Sequence, residues 1–439
     1  MKKLSIIFLS VILAASAFSQ TVTEYKLKNG IPVYYMKNET NRVDSMSIRV
    51  KGGSSLYSKD QSGLEAALFY MMSAGSEKYS YEELLSYYYL TKGSVTYMAW
   101  PESTQLNLSV IDKYFELYAD ILVDGFLHPQ FRQDVYEKMM LYYQQTLQTT
   151  LSDAYSSLFD TAYGLIYEGH PYETRTSPTL ESIGNITIEN IQGIQQKVYD
   201  ADRIEVVAVT SCDAEKLVAL LDESLGNLPS KSEGALPKIQ DILPLTGYRG
   251  LQNPALGDSC FVARFYNSPC TTSSDFYAFA LASLIYNTMA FNVVRVKYGA
   301  CYTPSVELGG SSIGYAYEMA YRCTDRENVC SYFDEAKEIM KSGKVVVSTN
   351  ADGTYVLADI EEVLEGYKNT YINSYYASQE TTSGVVSKIF YSLDRTGSAQ
   401  NLNFLVNSVR NVTASDIIEV FNKYFQDDYL LVEMIGITQ

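Results

Sequence analysis

One order of elements (strands, a helix, two strands, a run of helices, a strand) occurs twice in this 439-residue chain, about 200 residues apart. That duplication constrains the fold more than any other feature. Residues 22–26 and 31–37 alternate as strands about the turn signal Lys28-Asn29-Gly30, and 45–51 form a third strand ended by Gly52-Gly53. Helices follow around 62–76 and at 81–91, the second behind Ser80 with Glu82 and Glu83 in its first turn. Strands near 94–99 and 104–110, helical stretches at 113–126, 131–167 and 187–198, a strand at 203–210 and a helix at 213–225 complete the first pass. Pro229, Pro237 and Pro244 among small and polar residues mark a linker. The second pass has strands at 259–266, 303–308, 314–322 and 429–435, with helices at 273–296, 327–342, 355–377 and 414–424. The pattern predicts α+β: two homologous domains, each a mainly antiparallel sheet covered by helices on one face. The expected boundaries are a leader at 1–20, a first domain at 21–228, a linker at 229–246 and a second domain at 247–439.

The leader reads as a secretory signal peptide. Lys2 and Lys3 supply the charge, Leu4 to Leu13 the apolar stretch, and Ala15-Ser16-Ala17 a small-residue cleavage site, with cleavage after Ser19 as an alternative. An exported chain, periplasmic or secreted, is therefore expected. No later apolar run reaches the roughly 18 residues of a membrane span. A formal charge of −17 argues against nucleic acid or an anionic membrane surface as partner. Six cysteines in an oxidising compartment permit disulfides, in any of fifteen connectivities, and their spacings fit no zinc ribbon or C-x-x-C site. Tyrosine stands out at 39 residues against one tryptophan, which suits a binding surface and suits a compositional habit as well.

The segment Gly63-Leu64-Glu65-Ala66-Ala67-Leu68-Phe69-Tyr70-Met71-Met72-Ser73-Ala74-Gly75-Ser76 resembles the helix G-L-x-H-x-x-E-H-M-x-x-x-G-[ST] of the insulinase/pitrilysin-type zinc peptidases. In that family two histidines one helical turn apart hold zinc while the glutamate activates its water. Here Ala66 and Tyr70 stand at the histidine positions and Phe69 at the glutamate position, so the zinc motif is degenerate. The resemblance places the family's third ligand, a glutamate on a later helix, at Gln144. Other pieces fall in the family's order: Leu27-Lys28-Asn29-Gly30, His170-Pro171-Tyr172, Ser177-Pro178 through Ile183, and Val198-Tyr199 before Val206 to Val209. The chain has only two histidines, His128 and His170, and neither falls in a metal-binding pattern.

Arg295-Val296-Lys297-Tyr298-Gly299-Ala300-Cys301-Tyr302 resembles the family's R-x-x-x-G-x-x-Y. The resemblance implies that Arg295 and Tyr302 reach the active site of a facing zinc-bearing domain and donate to the substrate carbonyl as charge develops on it. It further implies a half-length, processing-peptidase-like chain, inactive alone, with no metal of its own and with zinc carried by a homologous partner subunit. Two functions follow. One is the non-catalytic subunit of an exported heterodimeric zinc metallopeptidase that acts on peptides. The other is a peptide-binding or scaffolding pseudo-peptidase, self-associating or not, in which a strand edge at 97–100 or 104–106 takes an extended peptide. A zinc enzyme with new ligands ranks last.

Overall fold

The computed structural model describes residues 21–231 and 236–437. The expected leader lies outside them. The first sheet is built from β1 (Thr23–Lys26), β2 (Pro32–Lys37), β3 (Val43–Lys51), β4 (Ser94–Trp100), β5 (Ser103–Ile111) and β6 (Ile204–Thr210), in the order β1-β2-β6-β3-β5-β4. The second uses β7 (Gly247–Gln252), β8 (Cys260–Asn267), β9 (Thr303–Gly310) and β10 (Gly314–Cys323). A separate hairpin of β11 (Lys344–Thr349) and β12 (Tyr355–Asp359) precedes the last strand, β13 (Leu430–Ile435), and the sheet order is β7-β13-β8-β10-β9. β2 runs parallel to β6 and β7 parallel to β13, while β6-β3-β5-β4 and β13-β8-β10-β9 are antiparallel throughout. The duplication is thus a repeated topology.

Period-2 patterning explains which strands sit where. β5 alternates half-buried and buried residues, whereas all seven residues of β6 are buried. β6 is therefore covered on both faces. On one face Met46, Ile48, Leu106 and Val206 pack with the helices Leu64–Ser73, Phe115–Leu127 and Ile188–Val198. On the other, Val207 and Val209 meet Val385, Val386, Ile389 and Phe390 of the helix Thr382–Thr396, which comes from the second half. The second sheet reciprocates. Its far face, with Phe261, Phe265 and Val432, packs on Leu158, Ala162 and Ile166 of the helix Ala154–Ile166 from the first half. Each half thus lends the other a helix, and the expectation of one covered face is corrected to two. Burying a side chain such as Leu158 or Ile389 contributes roughly 2–3 kcal/mol, so the exchange ties the halves together.

Several predicted spans are corrected. The stretch 131–167 is two helices, Gln133–Ser152 and Ala154–Ile166, broken at Asp153, whose Oδ1 accepts from Ser156 N at 2.8 Å. The helix expected over 355–377 starts only after Asp359, which forms a capping box with Glu362, because residues 355–359 pair as β12. The helices Thr382–Thr396 and Phe404–Asn411 and the β11–β12 hairpin escaped the sequence reading. The 273–296 prediction becomes Phe276–Ala290 followed by a π-helical segment, Phe291–Lys297. Residues 276–297 are long and apolar enough to cross a bilayer, contrary to the sequence count, but 78% of that window is buried inside the second core.

Candidate functional site

The helix Leu64–Ser73 begins at Gly63, whose φ of +81° lies in the left-handed region. A Cβ there would also come within 2.6–2.8 Å of Pro178, so glycine is needed twice over. Gly63 N donates to Arg175 O at 3.0 Å, and Arg175 N donates to Ser62 Oγ at 3.0 Å. These bonds fasten the 175–178 segment across the helix start. Beside them opens a cavity of about 530 Å³ lined by Ala66, Tyr97, Tyr143, Phe159, Tyr163 and Tyr315, among others. Tyr315 belongs to β10, so both halves wall the cavity.

Each position singled out in the sequence has a definite place. Ala66 lines the cavity and leaves room where a longer side chain would project. Phe69 is fully buried beneath it, edge-on to Phe126 with centroids 6.3 Å apart. Tyr70 sits edge-on to Tyr97 at 6.1 Å, and burial raises its phenol, with Tyr81 and Tyr97 adding to the effect. Gln144 is exposed and does not line the cavity. The inward face of its helix reads Val135, Met139, Tyr143, at fourfold spacing. One residue further turns the side chain about 100° away, so Gln144 does not face the cavity, while Tyr143, Thr146 and Leu147 of the same helix line it. Burial pushes the Tyr143 phenol well above its ordinary value, and nearby Tyr97 pushes it further.

These residues do not fit zinc. Alanine and phenylalanine offer no donor, and phenols held protonated by burial are poor ligands beside imidazole or carboxylate. Among the described residues no group of three or more His, Cys, Asp and Glu is placed to hold a metal. His128 Nδ1 lies 2.9 Å from Asp124 Oδ1 at a helix end, and His170 Nδ1 accepts from Tyr172 N at 3.0 Å. Both histidines are local structural groups. The charged pair in the cavity wall, Arg175 and Asp160, is engaged with itself; the guanidinium also donates to Asp160 O at 2.8 Å and lies 4.7 Å from the Tyr163 ring centre. The cavity is therefore aromatic and hydroxylic without an unpaired charge among these groups.

Glu65, next to Ala66, points elsewhere. It is buried and accepts from Thr104 Oγ1 at 2.5 Å. Burial raises its carboxyl above the ordinary range, and bonds from Thr104 and Tyr57 with the charge of Arg203 offset this only in part.

Arg295 and Tyr302 lie elsewhere in the fold. Arg295 sits near the end of the π-helical segment, its guanidinium carbon 4.6 Å from the Tyr302 ring centre and 5.1 Å from that of Phe291. Gly299, at φ +61°, turns the chain between them. Tyr302 is 69% exposed, and neither residue lines the cavity of its own chain. The structure joins this pair to each other but not to Ala66, Phe69 or Tyr70. β4 is the outer strand of its sheet, and its Tyr97 and Ala99 face the cavity while Met98, 52% exposed, faces out. Residues 104–106, the other candidate edge, lie on β5 between β3 and β4 and are interior. Sequence reasoning put Tyr97 on a candidate strand edge but missed Tyr143, Tyr163 and Tyr315. Only the tyrosine surplus hinted at them.

The family description Insulinase (Peptidase family M16) matches residues 33–177, which include the degenerate helix and most of the cavity wall. Over that third of its length the chain is similar to the family. The insulin-degrading enzyme homolog of Dictyostelium discoideum is 25% identical over 185 residues, a match that covers 41% of this chain and only 19% of that relative. Two solved structures extend the likeness of fold over the whole described chain. The peptidase M16 inactive domain from Pseudomonas fluorescens has a TM-score of 0.80 at 14% identity and covers 95% of this chain and 99% of its own. The periplasmic protease PqqL from Escherichia coli has a TM-score of 0.75 at 14% identity, covering 95% of this chain and 45% of its own. The chain thus spans about half the length of the E. coli protease, and the likeness to the M16 inactive domain runs through both of its halves.

Proposed function

We propose that this chain is the non-catalytic subunit of an exported, two-chain M16-type zinc peptidase, in which a homologous partner holds the metal and this chain supplies Arg295 and Tyr302. One observation carries the reading. The pair stacks together on the surface, away from its own cavity, and the lining of that cavity offers one carboxylate, Asp160, already paired with Arg175. A guanidinium and a phenol placed so are donors for a carbonyl oxygen presented by another chain. Support for the setting comes from the leader-like residues 1–20 and from the periplasmic E. coli neighbour, which is about twice this chain's length. The test is to purify the chain from its native source and identify what accompanies it. A stoichiometric, zinc-containing H-x-x-E-H homologue is the expected companion. Recovery of the chain alone or as a homodimer would defeat the proposal.

A second reading, a peptide-binding scaffold, is favoured by a different observation. The unpaired edge of β4 borders an aromatic cavity whose charged residues, Arg175 and Asp160, neutralise each other, so an extended peptide could pair with the strand and place one side chain among the tyrosines. Peptide binding by the lone chain, abolished by Ala99→Pro on that edge and indifferent to Tyr302→Phe, would favour it over the first.

A further inference from the structure

All six cysteines are free thiols in this structure, but two are set apart by register. Cys260 opens β8 and Cys323 closes β10, and they are direct antiparallel partners. The ladder between these strands is interrupted after Ala320 and resumes only at Cys323. Arg322, in the interruption, has a φ of +51°, the left-handed conformation that a non-glycine residue seldom adopts. The chain thus makes an unfavourable turn that returns Cys323 to face Cys260. Direct partners in an antiparallel pair lie about 4.5–5.5 Å apart at Cα, inside the roughly 4.4–6.8 Å that a disulfide spans. Cys260 Sγ is 3.5 Å from Cys323 O, and both side chains are buried.

Among the described residues no other two cysteines are register partners, for Cys301 lies before β9 and Cys330 on the helix Val329–Lys341. Cys301 is near Cys323, and burial pushes its thiol up to about 12. Burial likewise raises Cys330 to about 11. Cys323 alone of the four raised or lowered in the second half is held below its ordinary value, chiefly because the Cys260 thiol donates to it; the same bond, then burial, raises Cys260.

We infer that Cys260 and Cys323 form a disulfide when the chain folds in an oxidising compartment, a clamp across β8 and β10 beneath the loop that carries Tyr302. That loop is joined to the residue after Cys323, since Thr324 N donates to Ala300 O at 3.1 Å. The chemistry is thiol–disulfide exchange with a disulfide-bearing oxidant. The Cys323 thiolate attacks one sulfur of the oxidant and displaces the other as a thiolate. The Cys260 thiolate then attacks Cys323 Sγ and releases the second. The two cysteine thiols lose two protons and two electrons, and the oxidant's disulfide is reduced to two thiols.

The inference needs an oxidising compartment, which is part of the proposed export, so the test supplies one independently. The mature chain is sent to a bacterial periplasm by a heterologous leader, acid-quenched, unfolded, alkylated and mapped by mass spectrometry. A peptide pair joined through Cys260 and Cys323 is expected, with Cys212, Cys270, Cys301 and Cys330 alkylated. Reductant should lower the melting temperature of the unaltered protein by a few degrees and leave that of Cys260→Ser unmoved. Full alkylation of Cys260 and Cys323, or a Cys301–Cys323 link, would overturn the inference whether or not the variant folds. The mapping does not depend on the native address or on a partner, so it stands apart from the subunit proposal.

Discussion

The helices Leu64–Ser73 and Phe276–Ala290 occupy the same step of a repeated topology, each leaving a central strand and leading to the outer pair of its sheet. In the first half this helix lines a cavity and carries alanine, phenylalanine and tyrosine where metal chemistry would sit. In the second it runs on into a π-helical turn that sets Arg295 against an exposed Tyr302. Two acids, one in each half, also answer their surroundings in opposite ways, although both halves bury an arginine–glutamate pair, Arg49 with Glu205 and Arg264 with Glu318. Glu65, in the first, has its carboxyl raised by burial. In the second, burial alone would raise Asp334, yet Arg264 and Lys337 outweigh it and hold the carboxyl low; the Glu318 carboxylate also pairs with Arg264. The contrast teaches that one scaffold can carry alanine and aromatic rings on this helix in one copy and an exposed arginine–tyrosine stack at its end in the other, because the packing residues and the exposed residues occupy different positions.

The most severe way to break this contrast is to restore the first half's chemistry. Ala66→His, Phe69→Glu, Tyr70→His and Tyr143→Glu together remove a fully buried ring and insert unpaired polar groups. Losing Phe69 costs about 3–5 kcal/mol and burying an uncompensated carboxylate costs several more. Denaturant unfolding should show a loss above about 5 kcal/mol, or no folded protein. A variant that melts like its parent would mean the cavity kept a metal-ready shell.

Next in size is the second half's donor pair. With a zinc-bearing partner present, Tyr302→Phe should lower kcat about 10²–10³-fold, roughly 3–4 kcal/mol, without changing the zinc content of the pair. Arg295→Ala should do at least as much. Lys297, two residues from Arg295, is unsuited to a control variant because its Nζ donates to Glu335 Oε1 at 2.7 Å. Lys238→Ala, in the exposed linker, serves instead. Parental turnover in both site variants would leave the pair a surface stack.

A middle-sized effect is expected from the second half's buried ions. Arg264 and Glu318 are both almost wholly buried and paired. Glu318→Gln leaves Arg264 with Asp334 as its charged partner and should cost about 3 kcal/mol in urea unfolding.

The smallest effect sharpens the comparison of buried Glu65 with half-exposed Asp334 through pH. Asp334, with its folded value lowered, contributes stability that is present above the unfolded carboxylate value of about 4 and lost as pH falls through the folded value. Glu65 has the opposite sign. Its burden is absent below the unfolded value of about 4.3 and grows as pH rises towards its raised folded value. Relative to the parent, Glu65→Gln should therefore gain stability as pH is raised from 5 towards 8. Parallel stability–pH curves for the two proteins would contradict this account of Glu65.

Much of the fold was readable in the sequence because strand periodicity, Lys28-Asn29-Gly30 and the Ser80 cap act locally; Ser80 and Glu83 do form the capping box. The degenerate positions Ala66, Phe69 and Tyr70 were legible for the same reason, being fixed by spacing within one helix. What escaped depends on long-range contacts. The exchanged helix Thr382–Thr396 has an apolar face whose target, β6, lies some 180 residues earlier. Tyr143 was missed because a helix's inward face is set by what packs against it. Tyr315 joins the cavity only through the association of the two halves.

The central claim is that the first half has lost its metal chemistry, and metal content tests it most directly. The mature chain, purified alone and equilibrated with a slight excess of zinc before gel filtration, should retain far less than one zinc per chain and hydrolyse no peptide. Close to one tightly held zinc per chain, with hydrolysis that a chelator abolishes, would contradict the account.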